Sequence, residues 1–211
     1  TFVNGTGYQN ENNIYGGAIC SEGILNVNKS KFINNTARIG GSICMIEGNV
    51  SESIFVNNTA LYMGGVYIDN YGNVIDSTFI NNSATNMCGA LYITGGNVSG
   101  STFINNSANI GGAIVIGFGN VSSCVLLDNV ASSGNGTSIL YFYNDSINFD
   151  SNWWGNNTPF NGPNNNSLIY YYIGEFSGEF IMPSNWIIMN LTKEWDTVTV
   201  SLNQTMSSDG V

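Results

Sequence analysis

The chain has 211 residues, of which 14 are acidic, 4 are basic and none is histidine, so its formal net charge is −10 at pH 7. Binding to phosphates needs clustered lysine and arginine, and the composition therefore argues against nucleic acid as a partner. Only 9% of the residues are charged whereas 43% are hydrophobic, which excludes a disordered polar chain. No apolar run is long enough for a transmembrane helix, so this segment is not expected to span a membrane.

The first repeated element is the octet STFINNSA, which runs from Ser77 to Ala84 and again from Ser101 to Ala108. Related octets begin at Ser30 and Ser53, and degenerate copies follow. One large apolar residue recurs at a nearly constant spacing, at Phe32, Phe55, Phe79, Phe103, Leu126 and Phe149. Phe2 precedes Phe32 by a longer step, which indicates an insertion in the first unit, near residues 9–13.

Two glycine motifs recur at a fixed distance from the octet. Gly-Gly-Ala-Ile starts at Gly16 and returns in later units, and Gly-Asn-Val closes a unit at Gly48, Gly72, Gly96 and Gly119. Each unit thus holds short apolar stretches separated by turn residues, none long enough for a helix. A period of about 23–24 residues indicates a solenoid whose units bury their apolar faces by stacking. We predict an all-β, right-handed, single-stranded parallel β-helix of about six to seven coils with a C-terminal β cap.

Stacked coils must place like residues above one another, about 4.8 Å apart. The apolar series from Phe32 to Phe149 is therefore expected to form a column inside the tube. The second asparagine of each octet is expected to form a ladder at a turn, with amide bonded to amide. This predicted ladder comprises Asn35, Asn58, Asn82, Asn106, Asn129 and Asn152.

The regular repeats end near Asn152, and three parts of the chain are predicted: β-helix repeats over 1–155, cap strands over 156–192, and a terminal strand over 193–211. Large aromatic residues would plug the end of the solenoid, which must not expose its core. The predicted plug consists of Trp153, Trp154 and Trp186. In the terminal strand Val198, Val200 and Leu202 alternate with polar residues, and no partner strand is evident in the nine residues after it. This strand either opens a further domain or pairs with another copy of the chain.

The FxNN(S/T)A and GGAI units with the terminal NWWGNNTP resemble adhesin-like surface proteins of methanogenic archaea. The repeats of those proteins are akin to the FxxN/GGAI repeats of bacterial polymorphic outer-membrane proteins. The resemblance covers roughly residues 1–205, and it implies a secreted right-handed β-helix at the cell surface. It also implies that 196–211 is the opening strand of an immunoglobulin-like domain. No binding residues are carried over from the resemblance.

Catalysis is weighed because some parallel β-helices act on polysaccharides. The bases are Lys29, Lys31, Arg38 and Lys193, and the acidic pairs are Asp69 with Asp76 and Asp145 with Asp150. Hydrolysis needs carboxylates that converge on one sugar bond, and neither pair is repeated on a neighbouring coil. We therefore expect no enzyme activity, and a carbohydrate-active enzyme is the weaker alternative. No cofactor is expected. The Asn- and Asp-rich turns offer the oxygen ligands that Ca²⁺ favours, but the sequence contains no EF-hand or RTX pattern.

N-glycosylation sequons are frequent. They include Asn34, Asn57, Asn81 and Asn105 in the octets, Asn49, Asn97 and Asn120 in the Asn-Val-Ser turns, and Asn156. Two explanations remain open: repeated turn chemistry produces the motif incidentally, or the chain is an extracellular stalk coated with N-glycans.

Cys20 and Cys44 occupy the same position of adjacent units. A disulfide is geometrically compatible with stacked strands, whereas buried free thiols are favoured because cysteine is commonly a core residue. Tyr67, Tyr92 and Ile93 are expected on one outward strip.

The sequence therefore favours an extracellular, cell-surface adhesin or stalk that contacts other cells or surface glycans. A filament of identical subunits, joined by exchange of the terminal strand, is the alternative.

Overall fold

The computed structural model describes residues 1–10, 13–142, 147–155, 168–174, 177–180, 183, 185–194 and 197–206. These residues form 23 strands and no helix. Numbered in chain order, the strands are β1 (Phe2–Val3), β2 (Tyr8–Asn10), β3 (Asn13–Tyr15), β4 (Ile19–Asn28), β5 (Lys31–Ile33), β6 (Thr36–Ile39), β7 (Ile43–Ser51), β8 (Ile54–Val56), β9 (Thr59–Tyr62), β10 (Val66–Ile75), β11 (Thr78–Ile80), β12 (Ser83–Met87), β13 (Leu91–Ser99), β14 (Thr102–Ile104), β15 (Ser107–Ala108), β16 (Ile114–Ser122), β17 (Val125–Leu127), β18 (Val130–Ala131), β19 (Ile139–Tyr141), β20 (Ile169–Gly174), β21 (Ser177–Phe180), β22 (Asn185–Glu194) and β23 (Thr197–Met206).

Three sheets run along the molecule because each coil contributes one strand to each of them. The phenylalanine sheet has the order β1-β5-β8-β11-β14-β17, and the long-strand sheet has the order β21-β20-β19-β16-β13-β10-β7-β4. The third sheet has the order β18-β15-β12-β9-β6-β3-β2. Coil-to-coil pairings are parallel, so the predicted all-β solenoid of stacked parallel coils is confirmed. It contains about 5 turns, fewer than the six to seven that the sequence predicts.

The core is a column of stacked phenylalanine rings. Neighbouring rings from Phe2 to Phe103 have centroids 4.7 to 4.9 Å apart and lie within 4 to 7° of parallel. Phe32, Phe55, Phe79 and Phe103 are fully buried, and Leu126 continues the column in the next coil. Burying one such side chain stabilises the fold by about 1.5–3 kcal/mol relative to its exposure. The repeated octet thus supplies the largest fully buried side chains of the structure, Phe32, Phe55, Phe79 and Phe103.

The last coil departs from the predicted register. Asn148 pairs with Asn120, and Trp153 pairs with Val125, so these partners lie further apart in the sequence than those of the regular coils. Part of the extra length precedes β19, whose Ile139 pairs with Ile114 of β16. Phe149 therefore lies beside Val121, in the column of buried valines, and Trp154 occupies the place next to Leu126. The prediction that Phe149 continues the phenylalanine column is wrong, although its side chain is buried.

In the third coil the Gly-Gly motif is shifted by one residue within the glycine turn. Val66 pairs with Ile43 and Leu91, and Met63 takes the left-handed backbone position that Gly40 has in the coil before, with φ of 57° and 66°. Val66 therefore points into the core, and Tyr67 points outward.

Close contact with the next coil explains why the second position of the glycine turn is occupied by glycine. A Cβ on Gly41 would lie 2.0 Å from the carbonyl oxygen of Gly64 in the next coil, and one on Gly89 would lie 2.0 Å from that of Gly112. Backbone approaches of this kind leave no room for a side chain.

Both ends carry strands that are not part of the repeat. The insertion in the first coil is the antiparallel hairpin β2–β3. At the other end, β20 extends the long-strand sheet and pairs with β21. The terminal strand β23 pairs antiparallel along its whole length with the strand before it, β22. Within the described residues no helix has the length and apolar character needed to cross a membrane.

Candidate functional site

A ladder of buried asparagine amides joins the coils. The Nδ2 of Asn58 donates to the Oδ1 of Asn82, and the Nδ2 of Asn82 donates to the Oδ1 of Asn106, at 2.9 and 3.0 Å. Each Nδ2 also donates to the carbonyl of a phenylalanine in the preceding coil, such as Phe55 for Asn82. The members of the ladder are Asn35, Asn58, Asn82, Asn106 and Asn129. Because their amide groups find partners within the ladder, they stay buried without an unsatisfied group.

Asn152 does not belong to this ladder, contrary to the prediction, because the last coil is longer. Its Oδ1 accepts from the backbone N–H of Cys124 at 2.8 Å, and its Nδ2 donates to the carbonyls of Val121 and Phe149. In earlier coils a serine hydroxyl accepts that N–H bond, as when the N–H of Ser77 donates to Ser101. Asn152 therefore continues a serine column rather than the asparagine column.

A second amide ladder, which was not predicted from the sequence, lies on the surface of the long-strand sheet. The Nδ2 atoms of Asn49, Asn97 and Asn120 donate to the Oδ1 of the asparagine in the preceding coil at 2.8, 3.2 and 2.9 Å. Asn26 and Asn73 are the other members. A glycan on these sequons would have to use the second Nδ2 hydrogen, since the first is engaged. The Gly-Asn-Val motif was the available signal for this ladder.

The octet sequons are more accessible. Asn34, Asn57, Asn81 and Asn105 are exposed and have left-handed backbones with φ of 53 to 55°, a conformation that asparagine tolerates well. Coils are about 4.8 Å apart, so neighbouring acceptors are too close for bulky glycans on every coil. Asn156 lies outside the described residues.

Trp154 and Trp186 are buried at the last coil, with 3% and 6% of their surface exposed, and Trp153 is partly exposed. Trp186 pairs with Asn152 and packs in the main core cluster. The three residues are thus brought together where the regular coils stop. A role as a cap remains a prediction.

The proposed assembly residues lie on β23. Val198, Val200 and Leu202 have Lys193, Leu191 and Met189 as their partners in the hairpin. Among the described residues, β23 pairs only with β22. Its other edge is the one that a second copy could pair with.

A concave surface lies at a corner between two sheets in coils 1–3. One wall is the outward face of the long-strand sheet, where Cys20, Cys44 and Tyr67 are in register. The opposite wall is the third sheet, where Tyr15, Ile39 and Tyr62 are in register, with Tyr8 paired to Tyr15. Together with Glu22 and Asp69 these residues line the corner cleft, whose volume is about 410 Å³.

The same corner is filled in the later coils. There Val115, Leu140 and Cys88 form a second buried cluster, against which Met87 and Ile110 pack. In the first coils the column positions hold the small thiols of Cys20 and Cys44, and the turn positions hold Gly16 and Gly40. Because cysteine has a small side chain and glycine has none, the corner stays open in these coils. Tyr92 follows Tyr67 outward as predicted, whereas Ile93 is fully buried in the core.

Burial dominates the electrostatics of the cleft. It raises the pKa of the Cys44 thiol to about 12, with the neighbouring Cys20 and the carboxylate of Asp69 adding to the rise. The pKa of Cys20 is raised by burial, with a further contribution from Glu22. Both thiols are free and hydrogen-bonded to each other, so a disulfide is not present. The Tyr67 hydroxyl donates to Asp69 Oδ1, and burial followed by this bond raises the pKa of Tyr67.

The described residues contain no group of three or more His, Cys, Asp or Glu side chains placed to hold a metal ion. Comparison with protein-family models, curated proteins and solved structures finds no match for the chain.

Proposed function

We propose that the chain is part of an extracellular, non-catalytic surface rod that mediates attachment or forms surface structure. The resemblance of its FxNN(S/T)A and GGAI units to archaeal adhesin-like proteins supports this proposal. The single observation that carries it is a pair of continuous ladders, one of stacked rings from Phe2 to Phe103 and one of bonded amides from Asn35 to Asn129. A stack in which each coil is bonded to the next resists bending and suits a stalk that projects a binding surface.

The outer surface is consistent with work outside the cell. Exposed positions are dominated by Asn, Ser and Thr, and one ion pair joins coils in the described part, between Lys29 and Glu52 at 3.5 Å. Solubility that depends on neutral polar groups varies little with salt, since screening acts on charges. The acceptor asparagines Asn34, Asn57, Asn81 and Asn105 face the solvent and fit a glycan-bearing stalk.

Surface labelling of source cells tests the location. Antibodies raised against the purified chain are expected to label intact cells, and brief protease treatment of those cells is expected to remove the label. Labelling that appears only after permeabilisation would contradict the proposal. Beads coated with the chain are expected to adhere to source cells or to their surface glycans more than beads coated with an unrelated acidic protein. Release of sugar from a panel of polysaccharides would contradict the non-catalytic role.

A filament subunit is the second candidate, and the outer edge of β23 favours it. A ten-residue strand with one edge paired to β22 can offer its other edge to a further chain. Negative-stain microscopy of native material is expected to show long periodic fibres if this candidate is correct. Removing residues 196–211 should then abolish the fibres while the thermal unfolding of the coils persists. Fibres that survive the deletion would exclude strand exchange.

A further inference from the structure

The corner cleft combines aromatic side chains with carboxylates. We propose that it binds a small organic cation, of the alkylated or quaternary ammonium class. The proposal concerns coils 1–3 only, and it stands whether or not the chain is located at a cell surface. Its basis is the chemistry of the two walls, the charge on them and the size of the space between them.

The walls supply rings on more than one side. Tyr15 and Tyr62 lie on the third sheet, two coils apart in the same column, and Tyr67 lies on the long-strand sheet opposite them. Tyr8 is joined to Tyr15 by the hairpin. Aromatic rings attract cations through their negative faces, and groups of rings recognise alkylated ammonium in particular. The hairpin inserted in the first coil therefore contributes two of the four rings.

The charge of the cleft selects the sign of the ligand. Glu22 and Asp69 are exposed carboxylates on the same wall as the cysteines, and the residues that line the cleft include no lysine or arginine. The field of both carboxylates reaches the thiols, because Glu22 contributes to the raised pKa of Cys20 and Asp69 to that of Cys44. A cation is therefore attracted and an anion repelled. The hydrogen bond from Tyr67 holds Asp69 beside the ring.

The size of the cleft favours a small molecule over a protein segment. Its volume of about 410 Å³ lies at the lower end of the range for small-molecule pockets, about 300–1,000 Å³. The lining is more apolar than the surface ladders, since Ile39 and Met63 also contribute to it. Methyl groups on a nitrogen would contact these side chains, whereas a bare ammonium would lose its hydration there.

Calorimetric titration with choline tests the proposal, with 3,3-dimethylbutan-1-ol as its neutral isostere. Choline is expected to bind saturably with one site per chain, and the isostere at least tenfold more weakly. Raising NaCl from 0.05 to 1 M is expected to weaken choline binding, because salt screens the exposed carboxylates. Equal binding of both compounds would overturn the proposal, since it would show an apolar cleft without selectivity for charge. The absence of saturable choline binding would overturn it as well.

Matched variants separate the two contributions. Glu22→Gln combined with Asp69→Asn is expected to weaken choline binding about fivefold or more, as two nearby charges are lost. Tyr62→Leu is expected to weaken it roughly 2- to 30-fold, the range for one cation–ring contact. Glu47→Gln and Tyr71→Leu alter an acid and a tyrosine that lie outside the cleft, and both should bind like the parent chain. Circular dichroism confirms that each variant is folded, and cleft variants that bind choline as the parent does would overturn the assignment of the site.

Discussion

The ring of Phe79 lies 4.8 Å from the ring of Phe103 and within 5° of parallel to it, although the two belong to different copies of the octet. Their strands pair in parallel through three consecutive residues of the octet. The asparagine three residues after each ring bonds to its counterpart in the same way, Asn82 to Asn106. One coil is thus held to the next by a ring contact inside the tube and an amide contact at the turn.

Truncating one ring measures how much the phenylalanine column contributes to stability. Phe79→Ala is expected to lower the free energy of unfolding by about 3–5 kcal/mol, because the lost contacts leave a cavity between two rings that cannot move together. Phe79→Leu should lower the free energy of unfolding by less, since a leucine, Leu126, already occupies this column. Urea unfolding followed by circular dichroism gives both values. A Phe79→Ala protein as stable as the parent would show that the ring is not buried.

Two adjacent asparagines with opposite environments provide an isosteric pair of variants. Asn82→Asp replaces the Nδ2 donor of two buried bonds by an oxygen, and a loss of about 2 kcal/mol or more is expected. Burial disfavours the charged carboxylate, so the folded variant binds more protons than the unfolded one. Its loss of stability relative to the parent protein therefore grows as pH rises above about 4. Asn81→Asp, at an exposed site, should change stability little. Equal unfolding midpoints for the two variants at pH 7 would contradict the ladder.

Two glycines in strands and turns differ in the space around them. Gly89→Ala would place a Cβ 2.0 Å from the carbonyl oxygen of Gly112 and 2.6 Å from the amide of Ser107. A backbone clash of this size is expected to cost about 3 kcal/mol or to prevent folding. Gly23→Ala has no atom within 4 Å of the new Cβ and should stay within about 0.5 kcal/mol of the parent. Thermal unfolding of the pair checks this, and similar melting temperatures would show that the coils are not packed so closely.

The buried thiols predict a loss of stability in alkaline solution. Burial raises the pKa of Cys124 to about 12 and also raises that of Cys88, whereas an unfolded thiol ionises near pH 8.5. Between these values the folded state binds more protons, so stability falls as pH rises. Urea midpoints between pH 7.5 and 10.5 should therefore decline, and Cys88→Ala should reduce the slope of the decline. A parent protein whose stability is constant or rises over this interval would contradict the burial of the thiols.

Thiol labelling addresses the Cys20–Cys44 pair. In the native protein Cys20 is expected to react first, because it is the most exposed of the four cysteines. After denaturation without reductant, four thiols should react. Two reactive thiols instead of four would show a disulfide between the stacked cysteines.

The repeat pattern predicted the stacking because one short motif determines it. The apolar residues from Phe32 to Leu126 and the asparagines from Asn35 to Asn129 follow at regular steps, so aligning the octets aligns the coils. The pattern did not predict the positions of Phe149 and Asn152. The last coil is longer than the others, which shifts its register although its sequence still resembles the repeated motif. A shift of one residue also occurs at Val66, which pairs with Ile43 although alignment of the Gly-Gly motifs would pair Tyr67 with it.

The corner cleft could not be predicted from the repeats. Its walls combine a hairpin at Tyr8 and Tyr15 that interrupts the first coil with side chains from three coils. The cleft is open because the residues at its base are small: Gly16, Gly40, Cys20 and Cys44. A repeat pattern is recognised mainly by its large apolar residues, so it does not show such an opening. The recurrence of a tyrosine shortly before the glycine turn, at Tyr15 and Tyr62, was the available signal.

The most direct measurement of the stacked columns is an isotope-edited nuclear Overhauser experiment on phenylalanine rings labelled in the folded protein. Ring centroids 4.7 and 4.8 Å apart predict strong cross-peaks from the ring of Phe79 to those of both Phe55 and Phe103. Cross-peaks from Phe79 to neither ring, with contacts only to residues near it in sequence, would contradict the stacking of one coil on the next.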